Sequence, residues 1–100
     1  MTVDISTQVA EFIRCQAPEP KRWLRATLHG LKSGKSDIKA LEDPLQGFYR
    51  ARIRGYRIVF CYEPTAEGVT IKCIFAERRG IIYEVFSHLL ADRLVRNKPM

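Results

Sequence analysis

Residues 47–60 read Gly-Phe-Tyr-Arg-Ala-Arg-Ile-Arg-Gly-Tyr-Arg-Ile-Val-Phe, and this alternation leaves the backbone few options. Side chains alternate across a strand, so Phe48, Arg50, Arg52 and Arg54 share one face, and Tyr49, Ala51 and Ile53 the other. If Arg54-Gly55 forms a two-residue hairpin turn, Ile53 opposes Tyr56, Arg52 opposes Arg57, and Arg50 opposes Val59. Arg50, Arg52 and Arg57 then converge on one face, with no acidic residue in the segment to neutralise them. Like charges set opposite each other destabilise a sheet. Such a cluster implies an anion, and phosphate is the natural one because the guanidinium fork matches its geometry.

The chain of 100 residues predicts a single domain over 1–100, with no repeat or linker to divide it. Its formal charge of +6 favours polyanionic partners. The charge is uneven: residues 21–39 carry Lys21, Arg22, Arg25, Lys32, Lys35 and Lys39 against Asp37 alone. Lys21, Arg22, Arg25 and Lys32, together with Arg54 and Arg79, are candidate RNA contacts. Cys15, Cys61 and Cys73 are widely spaced, with no C-x-x-C pair and no Cys/His spacing for zinc, so no metal is expected. They read as reduced core residues of a cytoplasmic protein. The first residues lack the basic and apolar regions of a signal peptide, and no stretch is long enough for a membrane span.

The pattern predicts an α+β domain in the order β-α-α-β-β-β-α. Thr2 to Ile5 alternates weakly as a short strand. Ser6 or Thr7 can cap a helix carrying Val9, Phe12 and Ile13 at helical spacing. Pro18-Glu19-Pro20 ends that helix, and a second follows from about Pro20, with Trp23, Leu24, Leu28 and Leu31 as its apolar stripe. Ser33-Gly34 stops it. Trp23 is the expected anchor between this helical hairpin and the sheet. Glu42-Asp43 before Pro44 reads as a turn. Phe48–Arg54, Tyr56–Glu63 and Val69–Ala76 form a three-stranded antiparallel meander. After Arg78-Arg79-Gly80, the residues Ile82, Val85, Phe86, Leu89, Leu90 and Leu94 repeat as in an amphipathic helix.

Leu41-x₃-Leu45-Gln46-Gly47-x-Tyr49-Arg50-x-Arg52-x₃-Tyr56-Arg57-Ile58-Val59-Phe60, followed by Arg78-Arg79 and Tyr83, resembles the RelE/ParE superfamily of toxins from bacterial type II toxin–antitoxin modules. The resemblance implies a curled sheet flanked by helices and a cognate antitoxin encoded by an adjacent gene. That antitoxin would block the basic face or displace the last helix, and the complex can bind its own operator DNA. It implies no cofactor. In the RelE-like branch the toxin enters the ribosomal A site and cuts messenger RNA by attack of a ribose 2′-hydroxyl on the adjacent phosphate. Carried over residue by residue, Arg50 and Arg52 match basic strand residues that are often lysines, Arg57 a phosphate-binding arginine, Arg78 the basic residue after the last strand, and Tyr83 a base-stacking tyrosine.

Such cleavage needs charge stabilisation at phosphorus and proton transfer at each oxygen. Arginines suit the first task and not the second, because arginine does not deprotonate in proteins. That leaves Glu77, Tyr83 and His88 as candidate proton carriers, with Arg78 as a charged donor to the leaving oxygen. Two other functions remain on the same fold, a ParE-like gyrase poison without nuclease chemistry and an inactive homologue that only binds antitoxin. The resemblance favours the RelE-like branch, because ParE-like chains generally lack a complete set like Arg50, Arg52, Arg57, Arg78 and Tyr83.

Overall fold

The computed structural model describes residues 2–78. The last helix, Arg79, Tyr83 and His88 of the sequence reading lie outside the described residues. Within them the order is β1 (Thr2–Ile5), α1 (Thr7–Arg14), α2 (Pro18–Leu31), β2 (Asp37–Ala40), β3 (Tyr49–Ile53), β4 (Tyr56–Thr65) and β5 (Gly68–Arg78). The architecture is α+β, as expected. The sheet has five strands in the order β1-β5-β4-β3-β2, one more than the sequence reading assigned. The addition is β2, antiparallel to β3. The N-terminal strand is also not part of an antiparallel sheet throughout, because β1 runs parallel to β5.

The central hairpin has the expected register, with Ile53 opposite Tyr56, Arg52 opposite Arg57, and Arg50 opposite Val59. Arg54 and Gly55 form its turn, with φ of 43° and 81°. Positive φ at both positions gives the turn a twist that matches the flanking strands.

Ser6 caps α1, its hydroxyl accepting from the Val9 amide at 3.2 Å. Pro18 opens α2 at a first-turn position where its missing N–H removes nothing. Both helices lie on one side of the sheet. Val9, Ile13, Leu24 and Leu31 pack there on Ala51, Tyr56, Ile58, Phe60, Ile71, Cys73 and Ala76. Trp23 packs against this core as a partly buried neighbour. Gly30 is where α2 comes close to the start of β2: a Cβ there would meet Ser36 Oγ at 2.8 Å.

The opposite face holds a smaller cluster of Leu45, Val59 and Phe75, with Leu41, Phe48 and Ile74 packed around it. Of the cysteines, Cys73 is core and Cys61 is half-buried, whereas Cys15 is exposed, so the expectation of three core cysteines fails at Cys15. Its position just past the end of α1 lies off the packed face of that helix. Among the described residues no helix is long and apolar enough to cross a membrane.

Candidate functional site

The register of four strands builds the site as two rows on the face away from the helices. Asp37, Arg52, Arg57 and Glu77 are successive cross-strand partners from β2 to β5. Lys39, Arg50, Val59 and Phe75 form the next row. Directly opposed residues project from the same side of a sheet, so each row shares one face.

Arg50, Arg52 and Arg57 therefore do lie on one face. The segment itself holds no acidic residue, but β2 and β5 each bring a carboxylate beside the arginines. Asp37 Oδ2 accepts from Arg52 Nε at 3.1 Å and lies 3.0 Å from its Nη2, an ion pair through one carboxylate oxygen on exposed side chains. Glu77 stands opposite Arg57.

Arg50 and Arg57 are buried, with relative exposures of 8% and 9%. Together with Lys39 and the segment Ala40, Leu41, Glu42, Asp43, Pro44 and Leu45, they line an open cavity of about 500 Å³. Arg50 Nη1 is buried and finds no hydrogen-bond partner among the described residues. Burying a guanidinium donor without a partner is expensive. Glu42 and Asp43 do stand in and beside a turn, with the Leu45 amide donating to the Glu42 carbonyl at 2.8 Å and Asp43-Pro44 a cis peptide. Both are also exposed carboxylates lining the cavity, a placement the sequence reading did not anticipate.

Two of the arginines named from sequence go elsewhere. Arg54, at the turn, swings to the helical side, with its guanidinium carbon 4.7 Å from the Trp23 ring centroid, a cation–π arrangement. Arg78 is the register partner of Tyr56, a helix-side core residue, and its guanidinium carbon is 5.8 Å from that ring's centroid. Arg22, Arg25 and Lys32 are exposed and Lys21 half-buried, all on or just past α2. These cations are on the helical side of the sheet, separate from the cavity. No group of three or more His, Cys, Asp and Glu side chains that could hold a metal is formed among the described residues.

Sequence reasoning missed Lys39 as a site residue. The available signal was Asp37-Ile38-Lys39-Ala40, where Asp37 and Lys39 alternate with apolar neighbours.

Three observations define a class: a mixed sheet with a helical pair on one face, an arginine hairpin at its centre, and a cationic cavity on the other face. Solved structures share this architecture. A YoeB/ParE toxin from Agrobacterium tumefaciens aligns with a TM-score of 0.65 at 14% identity, over 79% of this chain and 99% of that one. An archaeal RelE–RelB complex from Pyrococcus horikoshii gives 0.60 at 25% identity, over 79% and 94%. The isolated E. coli RelE toxin gives 0.54 at 22% identity, over 88% and 97%. No family model matches the chain, and no curated protein matches it. The chain has the fold of the RelE/ParE superfamily of toxins.

Proposed function

We propose that this protein is the toxin of a toxin–antitoxin pair and cleaves messenger RNA on the ribosome. The observation that carries the reading is the pair of buried guanidiniums, Arg50 and Arg57, lining one cavity, with Arg50 Nη1 finding no hydrogen-bond partner among the described residues. Permanent, preorganised donors suit the charge that builds on a phosphate attacked by its neighbouring 2′-hydroxyl. In this reading the 2′-oxygen bonds to phosphorus, the bond to the 5′-oxygen breaks, and a 2′,3′-cyclic phosphate remains. Arg50 and Arg57 hold the non-bridging oxygens. Arg52, already paired with Asp37, orients the strand edge and contributes less charge. Glu77, opposite Arg57 and accepting from the Arg78 amide at 2.9 Å, is a candidate proton acceptor. Tyr83 and His88 are further candidates in the final segment, the tyrosine as a base platform and the histidine as the carrier that gives a proton to the departing 5′-oxygen, which leaves as a hydroxyl. Lys21, Arg22, Arg25, Lys32, Arg54 and Arg79 supply general attraction for ribosomal and messenger RNA. The antitoxin partner is supported by the neighbouring RelE–RelB complex.

A second reading, a gyrase poison, is favoured by the neutral row Asp37–Arg52–Arg57–Glu77 and by Arg78 on the helical side, both of which thin the phosphate cluster. The experiment that separates them is primer extension across abundant messages after brief expression, run beside a DNA supercoiling assay. Cuts at defined codon positions with normal supercoiling support the nuclease. Intact messages with blocked supercoiling reverse the conclusion.

A further inference from the structure

Lys39 stands opposite Arg50 across β2 and β3, and both line the cavity with Arg57. The two rows of the site differ in charge. The row Asp37–Arg52–Arg57–Glu77 sets two carboxylates against two guanidiniums. The row Lys39–Arg50–Val59–Phe75 has two cations and two apolar side chains, and neither cation makes an ion pair among the described residues. Like charges opposed across strands destabilise, and Arg50 adds a buried donor with no acceptor among the described residues. Lys39 and Arg50 line the same cavity, and one anion there offsets their mutual repulsion.

We propose that Lys39 is a third cationic ligand of this cavity, binding a single phosphodiester together with Arg50 and Arg57. The identification of that phosphodiester as RNA rests on the nuclease reading; the anion site itself does not. An ammonium on a flexible stem complements two rigid forks, because it can reach whichever oxygen they leave open. The exposed carboxylates Glu42 and Asp43 at the lining repel a second phosphate, so a diester with one charge fits better than a polyphosphate.

The test is binding of a short single-stranded RNA, 2′-O-methylated throughout so that it cannot be cut, measured by fluorescence anisotropy between 50 and 200 mM salt. Each phosphate contact contributes about 0.7 to the log–log salt slope for single strands. Lys39→Met should lower the slope by about that amount and weaken binding about tenfold, the loss of one charge-assisted contact. Lys39→Arg should restore most of the slope. Lys35→Met, in the exposed turn after α2, is the control for general charge. A slope for Lys39→Met equal to that of wild type or of Lys35→Met overturns the assignment. Failure of the nuclease reading looks different: the slope change at Lys39 is present, yet messages on ribosomes stay intact.

Discussion

Glu77 faces Arg57 across β4 and β5 because the ladder between these strands slips by one residue near Val59 and Phe60. On the turn side of the slip Phe60 pairs with Cys73; on the other side Val59 pairs with Phe75, leaving Ile74 as the extra residue. A single inserted residue reverses which face every later side chain occupies. Without it, Ala76 would oppose Arg57, and Arg78 would turn toward the arginine face. The bulge therefore exchanges a cation for a carboxylate in the site. It is anchored from outside the hairpin, since the Ser6 hydroxyl donates to the Ile74 carbonyl at 2.8 Å and the Ser6 amide to the Cys73 carbonyl at 2.9 Å.

The two faces predict unequal arginines. Arg57→Ala removes a buried donor of the cavity and should lower message cleavage by about 10²–10³, a typical loss for one preorganised donor. Arg78→Ala, on the Tyr56 side, should cost no more than about tenfold. Cleavage rates on programmed ribosomes, with folding checked by circular dichroism, decide between them. Equal losses would show that Arg78 reaches the phosphate after all.

Anions should stabilise the protein. Phosphate or sulfate bound to the native cavity and not to the unfolded chain raises stability by about 2.7 kcal/mol at a hundred times Kd. Melting temperature in rising sulfate, at constant ionic strength set with chloride, measures this. The increment should shrink sharply in Arg50→Met and persist in Arg22→Met, which lies on α2.

Gln8 predicts a purely structural phenotype. Its side-chain amide accepts from the Ala76 amide and donates to the Ala76 carbonyl, both at 2.8 Å, extending the β1 edge by one strand-like pair where β1 has ended. Gln8→Ala leaves both backbone groups of a buried residue unmet and should cost about 1–3 kcal/mol in urea unfolding. Anion affinity should remain close to wild type, since Ala76 points into the helical core.

Asp37→Asn predicts the reverse pattern. Its contact with Arg52 is between exposed side chains, so stability should fall by only about 0.2–1 kcal/mol. Removing the carboxylate releases Arg52 and raises the positive potential of the arginine face. RNA affinity should therefore increase, most visibly at low salt. An unchanged or weaker affinity would mean that Arg52 needs Asp37 to hold its orientation.

The hairpin was legible because two independent signals agree on it. Alternation from Tyr49 to Ile53 fixes the faces, and Arg54-Gly55 fixes the register. The helices were legible from Ser6 and the spacing of Leu24, Leu28 and Leu31, although α2 begins at Pro18 and not near Pro20, because a proline in the first turn needs no amide partner. β2 was not, because four residues with one β-branched side chain carry too little pattern to distinguish a strand from a loop. Its consequence is large, since it brings Asp37 to Arg52 and Lys39 to Arg50. Arg54 was assigned to the wrong side because alternation stops at a turn: with φ at 43° its side chain leaves the strand's pleat and finds Trp23. The bulge at Ile74 was invisible, since nothing local marks it and its anchor, Ser6, lies 68 residues away in the chain. So the cations were readable and their counter-charges were not, because ion pairing depends on which strands become neighbours.

Alkaline pH should expose the burial of Cys73. The thiol is 2% exposed in the core, and desolvation pushes it from 9.0 up to about 12. Above about 9 the unfolded chain ionises this thiol while the folded chain keeps it protonated. The unfolded state then binds fewer protons, so stability falls as pH rises, by up to about 1.4 kcal/mol per unit, and levels off near 12. Lysines and tyrosines titrate in the same range, so the quantity to read is the difference between wild type and Cys73→Ala. The variant is less stable at pH 7 because it loses buried volume. Its deficit should narrow between pH 9 and 11, as only the wild type loses stability through this thiol. A deficit that stays constant across that range would mean the thiol ionises in the folded protein as readily as in the unfolded chain.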